Sequence, residues 1–196
     1  MKKVLIAAAI GMLVAGQVAA QESPWLVRAR AVHVSMVNHD STGLDVKVED
    51  KTIPEFDVSY FFNKNVAAEL VLTVPQKFNA TYSGGTLGTF RALPPTLTVQ
   101  YHFTNFNGYK PYVGAGVNYT KITNANLLAG GAGLSDHTLG FALQAGVDVP
   151  LTKQVSLNFD VKKVQIRSDV YVAGVKHSGD LKLDPMLIGV GIGYRF

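Results

Sequence analysis

The last eleven residues, Met186 to Phe196, constrain the fold more than any other stretch because they alternate between two chemistries with a period of two. One set is apolar and the other is mostly glycine: Met186, Ile188, Val190, Ile192, Tyr194 and Phe196 against Leu187, Gly189, Gly191, Gly193 and Arg195. In a β-strand these sets point to opposite sides of a sheet. Such a strand suits a membrane-spanning barrel, with lipid outside and a crowded lumen inside. A buried strand of a soluble β-sandwich is the alternative at this point.

The N-terminus predicts export. Lys2 and Lys3 precede an apolar run from Val4 to Ala15, and the small residues Ala19 and Ala20 follow at cleavage positions. This is the pattern of a secretory signal peptide, so we expect residues 1–20 to be removed and residues 21–196 to form one domain. No other run approaches the roughly 18 uninterrupted apolar residues of a membrane helix. Any membrane insertion is therefore expected to use strands.

Charge and cysteine content narrow the functional classes. The formal net charge of +4 falls to +2 when the two lysines of the signal peptide are removed, which does not indicate binding to nucleic acid. The chain has no cysteine, so disulfides cannot hold it together after export. It must close its own sheet and core.

Eight segments repeat the period-two alternation, and they predict an all-β fold, an eight-stranded antiparallel transmembrane β-barrel of the bacterial outer membrane. The links between them alternate between long and short, as in barrels with short periplasmic turns and long outer loops. All eight prolines fall at segment boundaries, as expected for a residue without an N–H. The segments are residues 25–34, 56–62, 66–74, 96–103, 112–120, 139–149, 155–162 and 186–196.

Charged side chains of both signs point into the predicted lumen. Eight strands enclose a space only wide enough for side chains or one small ligand. Buried charges are tolerated when they are paired, so we expect an ion-pair plug, with a proton or ion path as the alternative. The predicted plug consists of Arg28, Arg30, Asp57, Glu69, Asp148, Asp160, Lys162 and Arg195.

Apolar residues and glycines also face the predicted lumen. Leu26, Phe61, Val71 and Leu187 form either a dry constriction or ordinary packing contacts. The inward glycines of the fifth, sixth and eighth segments either leave room in the lumen or mark a close approach of strands.

The long link between the third and fourth segments predicts a ligand route. Leu87, Phe90 and Leu93 are expected to line an apolar funnel, because small hydrophobic ligands are held in apolar clefts. The competing interpretation is that strands continue above the membrane and pack on one another. Pro75, Pro94 and Pro95 cannot donate ladder bonds at the outer end of this seam, which predicts a lateral opening, unless they only terminate strands.

No catalytic residue, metal site or cofactor is predicted. Ser135-Asp136-His137 is contiguous, whereas catalytic triads are recognised by their arrangement in space. The histidines show no repeated zinc-ligand spacing. The glycines at 189, 191 and 193 precede no helix, so they are not a dinucleotide-binding fingerprint.

Several motifs together resemble the outer membrane protein W family over essentially the whole mature chain. They are LPPTLTVQYHF at 93–103, PYVGAGVNYT at 111–120, QAGVD at 144–148, LDP at 183–185 and GYRF at 193–196. The resemblance implies an eight-stranded barrel with a narrow hydrophobic funnel and passive uptake of small hydrophobic molecules, which leave sideways in some members. Val71 matches one apolar gate position of the family. Lys162 departs from the other, so a fully apolar gate is not expected here.

These observations predict a monomeric outer-membrane channel whose partners are outer-membrane lipid and small hydrophobic solutes, without nucleic acid. One alternative is a plugged structural, adhesive or receptor-type barrel without transport. A lipid-modifying barrel enzyme is the other, and it requires a serine, a histidine and an acid that converge at one interface.

Overall fold

A computed structural model describes residues 23–40, 45–82, 85–127, 131–172 and 175–196. The predicted signal peptide, residues 1–20, lies outside these ranges. The regular secondary structure of the described residues consists of fifteen β-strands. Within the same ranges, no helix has the length and apolar character needed to cross a membrane.

The strands, in chain order, are β1 (Trp25–Ser35), β2 (His39–Asp40), β3 (Lys47–Val48), β4 (Lys51–Phe61), β5 (Val66–Thr73), β6 (Gln76–Tyr82), β7 (Gly85–Leu93), β8 (Thr96–His102), β9 (Lys110–Leu127), β10 (Ala132–Leu134), β11 (His137–Pro150), β12 (Val155–Val164), β13 (Arg167–Val172), β14 (Val175–Lys182) and β15 (Met186–Arg195).

Eight of these strands close into a barrel in the order β1-β4-β5-β8-β9-β11-β12-β15. The ring closes because β1 pairs with β4 on one side and with β15 on the other. Every neighbouring pair is antiparallel. The predicted eight-stranded antiparallel barrel is confirmed.

Side chains alternate between lipid and lumen along each barrel strand. On β15, Ile188 and Val190 are 53% and 46% exposed, whereas Leu187, which precedes Ile188, is only 9% exposed. The inward glycines mark close approaches of strands. A Cβ added at Gly191 would lie only 2.1 Å from the Ala29 carbonyl oxygen, and Gly116 and Gly140 have equally close backbone neighbours, so these three glycines do not leave free room in the lumen.

Several barrel strands continue beyond their predicted ends, toward the long links. β9 runs to Leu127, and β4 begins at Lys51 instead of Phe56. The prediction began this segment at Phe56 and placed Pro54 at its boundary, but Pro54 lies inside β4, opposite Ala31 of β1. A proline is accepted there because the ladder between β4 and β5 begins only at Glu55.

The long links also contain strands of their own. β6 and β7 form a hairpin that pairs with β9, and β10 connects β9 to β13. Inward side chains from these extensions join one apolar cluster with the outer ends of the barrel strands. The strands therefore continue beyond the predicted segments and pack on one another, in agreement with one of the two interpretations.

Candidate functional site: an apolar cavity above a charged plug

Arg28 of β1 is the centre of a buried ion-pair network in the barrel lumen. Its Nη2 lies 2.7 Å from Asp148 Oδ2, and its Nη1 lies 3.2 Å from both Asp57 Oδ1 and Glu69 Oε2. Nη1 also donates to Ser59 Oγ at 3.1 Å. Period two places Arg28 inward from β1, and β4, β5 and β11 supply its partners, so one guanidinium connects strands on different sides of the barrel.

Arg30 extends the network by one layer toward the outer end. Its Nη2 donates to Asp57 and lies 3.1 Å from Glu69 Oε2. Its Nε is 3.4 Å from Glu55 Oε1 and its Nη1 is 3.3 Å from Asp160 Oδ1, which are ion-pair distances without hydrogen-bond geometry. Arg30 is 4% exposed, so these contacts are shielded from water.

Lys162 of β12 forms the outermost layer. Its Nζ lies 3.2 Å from Glu55 Oε1 and 4.0 Å from Asp160 Oδ1. Glu55 is absent from the predicted plug, because the sequence pattern assigns it to the long link before the segment that begins at Phe56. The signal was available, since Glu55 has the same parity as the inward Asp57.

Seven of the eight predicted plug residues are brought together, and Arg195 is not. The Arg195 guanidinium lies 4.2 Å from the centre of the Phe61 ring, and its Nε donates to the Ser23 carbonyl at the short-turn end of the barrel. Arg195 lies opposite Leu26 in the ladder between β1 and β15, two residues nearer the short-turn end than Arg28. It therefore lies on the same face as the other plug residues but not at their height. With Glu55 included, the network joins three cations to five carboxylates.

Neutral polar side chains that the sequence interpretation left out complete the plug. Gln144 donates to Glu69 Oε1 at 3.0 Å and to Asp160 Oδ2 at 2.8 Å. Tyr112 donates to Asp160 Oδ2 at 2.7 Å and accepts from Asn158. These contacts satisfy carboxylate oxygens that the three cations do not reach.

The four predicted constriction residues are all buried, but they do not form one ring. Leu26 and Phe61 pack with Ala67 below the plug, toward the short turns. Val71 lies opposite Asp57 at the height of the plug. Leu187 belongs to the apolar cluster above it. Period two predicts the face on which a side chain lies and not its height, because neighbouring barrel strands are staggered.

Above the plug lies a cavity with an empty volume of about 710 Å³, which includes its solvent-open part. Its wall is mostly apolar, whereas Lys162 and Glu55 lie at its base with Thr96, Asn118 and Thr120. The apolar lining residues are Val34, Met36, Ile53, Phe78, Phe90, Ala92, Ile122, Val164, Ile166, Leu183 and Leu187.

The three predicted funnel residues differ in position. Phe90 is 1% exposed, lines the cavity and stacks on Phe78 with 5.7 Å between ring centres. Leu87 is buried in the surrounding apolar cluster, and Leu93 is half-buried. Most of the cavity wall therefore comes from residues outside the link between β5 and β8. These are inward residues near the outer ends of the barrel strands.

The cavity reaches the seam between β5 and β8. This ladder has six residue pairs, from Val66–Tyr101 to Val71–Thr96, and is the shortest of the eight barrel ladders. Thr73, Gln76, Pro94 and Thr96, which lie at the outer end of this ladder, line the cavity. The carbonyl groups of Pro94 and Pro95 have hydrogen-bond donors on β9. Asn118 Nδ2 donates to both carbonyl oxygens, and the Tyr119 N–H donates to that of Pro95 at 3.0 Å. Pro75 lies exposed between β5 and β6.

The described residues contain no group of three or more histidine or acidic side chains placed to hold a metal ion. His102 contacts Gln100 Oε1 at 3.0 Å, and its ring stacks on Tyr112 at 4.9 Å. His137 stacks on Tyr119 at the outer surface.

Comparison with known proteins identifies relatives over nearly the whole chain. The sequence profile of the OmpW family matches residues 15–196. An uncharacterised outer-membrane protein of Sinorhizobium fredii is 43% identical over 190 residues, which cover 91% of this chain and 82% of that protein. A dibenzothiophene metabolism operon protein of Pseudomonas aeruginosa is 27% identical over 194 residues, which cover 90% of each chain.

A solved structure has the same fold. The outer membrane protein OprG from Pseudomonas aeruginosa superposes with a TM-score of 0.75, which covers 90% of this chain and 98% of that chain. At 24% sequence identity, the likeness is one of fold.

Proposed function

Because the chain belongs to the OmpW family of outer-membrane proteins, we propose that it is a channel for the passive uptake of small hydrophobic molecules. The family and the outer-membrane location predicted from the sequence are confirmed. The observation that carries the functional proposal is the apolar cavity directly above a charged plug. The transfer of a hydrophobic solute from water into the apolar cavity is favourable in free energy, whereas its transfer into the charged plug is unfavourable.

The plug supports a sideways exit instead of passage down the lumen. An apolar solute that reached Lys162 and Glu55 would have to displace paired buried charges, which is strongly unfavourable. Across the barrel wall at this seam lies the apolar interior of the bilayer, which a hydrophobic solute can enter favourably. In this proposal the solute descends past Phe78 and Phe90 and leaves between β5 and β8, where the ladder is shortest.

The closed sheet supports a monomer that contacts outer-membrane lipid. No barrel strand of the described chain has an open edge, so no edge is available to pair with another subunit. Residues 1–20 are proposed to be a signal peptide that is removed on export. The relative named for a dibenzothiophene metabolism operon supports a solute class of small hydrophobic molecules.

Restoring backbone donors at the seam tests the lateral exit. We expect the triple variant Pro75→Ala, Pro94→Ala and Pro95→Ala to slow the entry of a hydrophobic fluorescent dye into intact cells, because new N–H groups can extend the ladder. The readout is the rate of dye entry in cells that express each variant at equal level.

Three prolines at the opposite end of the barrel provide a matched control. Pro24→Ala, Pro111→Ala and Pro150→Ala should leave dye entry unchanged, since these residues lie at the short-turn end. Unchanged entry in a folded seam variant would remove the lateral route, although uptake through the lumen would still be open to test.

A sealed structural or adhesive barrel is the second candidate, and the plug itself favours it. Buried ion pairs that span the lumen close it whether or not a solute binds above them. This candidate predicts no difference in dye entry between cells with and without the protein.

A further inference from the structure

Three basic side chains form a row on the outer surface of neighbouring strands. Lys77 of β6 lies directly opposite Arg91 of β7, and Arg91 lies opposite Thr123 of β9. Lys121 lies two residues from Thr123 on the same face of β9. All three cations are exposed, whereas the residues that alternate with them, Phe78, Phe90 and Ile122, are buried in the cavity wall.

The row places like charges beside each other without an internal partner. Side chains directly opposite on antiparallel strands have Cβ atoms about 4.5–5.5 Å apart, and like charges in such pairs destabilise a sheet. Within the described ranges, no acidic side chain forms an ion pair with Lys77, Arg91 or Lys121. Glu49, on the neighbouring strand segment, is instead held by Asn79 Nδ2 at 2.9 Å. An external anion would relieve this repulsion.

The height of the row fits the surface of the outer leaflet. Along the outward face of β9, Val117 and Tyr119 are lipid-facing and 44% and 46% exposed, and Lys121 follows next. Lys110 begins the strand at the short-turn end. The eleven residue steps from Lys110 to Lys121 rise about 37 Å along the strand, or roughly 29 Å at a tilt of about 40°. Lys121 therefore lies just above an apolar band about 25 Å tall.

We propose that Lys77, Arg91 and Lys121 bind the phosphate groups of outer-leaflet lipid headgroups. The arginine guanidinium can hold a phosphate through two parallel hydrogen bonds, and the flanking ammonium groups add charge from both sides. Lys77 and Arg91 lie on the β6–β7 hairpin that joins β5 to β8, and Lys121 lies on the adjacent β9, so the bound lipid covers the barrel wall immediately above that seam. This binding site is independent of whether the protein transports a solute.

Lipid binding by the purified, detergent-solubilised protein tests the site. The probes are phosphorylated lipid A, the same lipid after removal of its phosphates, and inorganic phosphate alone. We expect the triple variant Lys77→Gln, Arg91→Gln and Lys121→Gln to bind phosphorylated lipid A on the order of 100-fold more weakly, since each basic residue near a charged lipid surface contributes about a factor of five. The dephosphorylated lipid should bind weakly to both proteins.

Two control proteins separate the site from net charge and from misfolding. Lys47→Gln, Lys64→Gln and Lys153→Gln remove the same charge elsewhere and should bind as the unaltered protein does. Lys77→Arg, Arg91→Lys and Lys121→Arg keep the charge and should retain most of the affinity.

The proposal would be overturned if the glutamine triple variant bound phosphorylated lipid A as tightly as the unaltered protein does. It would also be overturned if the unaltered protein bound the dephosphorylated lipid equally tightly. Displacement of phosphorylated lipid A by an equal concentration of inorganic phosphate would also overturn the proposal, because the site would then recognise the free ion and not the lipid.

Discussion

Arg28→Met is expected to lower the free energy of unfolding by about 3–5 kcal/mol, because removal of one partner leaves buried charges uncompensated. The substitution keeps an unbranched side chain but leaves Asp57, Glu69 and Asp148 without the guanidinium that joins them. Urea unfolding in lipid vesicles measures the loss, and the single tryptophan, Trp25, reports it from the barrel surface.

Lys47→Met is the matched control for this change. It removes an ion pair of 3.0 Å to Asp45 in which both side chains are largely exposed. Exposed pairs contribute at most about 1 kcal/mol, so this variant should unfold nearly as the unaltered protein does. A loss for Arg28→Met no larger than that for Lys47→Met would mean that the lumen network does not stabilise the barrel.

Val190→Arg is expected to destabilise the barrel by about 2–4 kcal/mol, because an arginine then faces lipid near the middle of the bilayer. Val190 is 46% exposed on the outward face of β15, four residues from the interfacial Tyr194. Tyr194→Arg, on the same face and strand, should lower stability by no more than about 1 kcal/mol, because the energetic cost falls toward the interface. Equal losses in both variants, measured by the same unfolding experiment, would contradict the assigned depth of the strand.

Local sequence pattern predicted the faces of the strands well and their heights poorly. Arg28 and Asp57 were placed in the lumen by period two alone, and the structure puts them there in contact. Arg195 was placed on the same face, but it lies at the short-turn end because two residues along a strand separate layers of the lumen. Height depends on the register between strands, which non-local pairing determines.

Glu55 shows a second limit of the sequence interpretation. Its partner Lys162 is 107 residues away in the chain, and no local pattern connects the two. Pro54 suggested a strand end, although a proline is acceptable where one neighbouring ladder has already stopped. The apolar residues of the long links indicated a cleft, but the sequence pattern assigned them to loops, whereas the structure builds most of the cavity wall from strands.

The most direct test of hydrophobic uptake compares two fluorescent dyes of similar size, one hydrophobic and one polar, in intact cells with and without the protein. We expect faster entry of the hydrophobic dye alone. Ala92→Trp, which fills the cavity, should abolish this gain, whereas Ala145→Trp on the exposed outer face should not. Equal acceleration of both dyes, or full uptake by a folded Ala92→Trp variant, would contradict uptake through the apolar cavity.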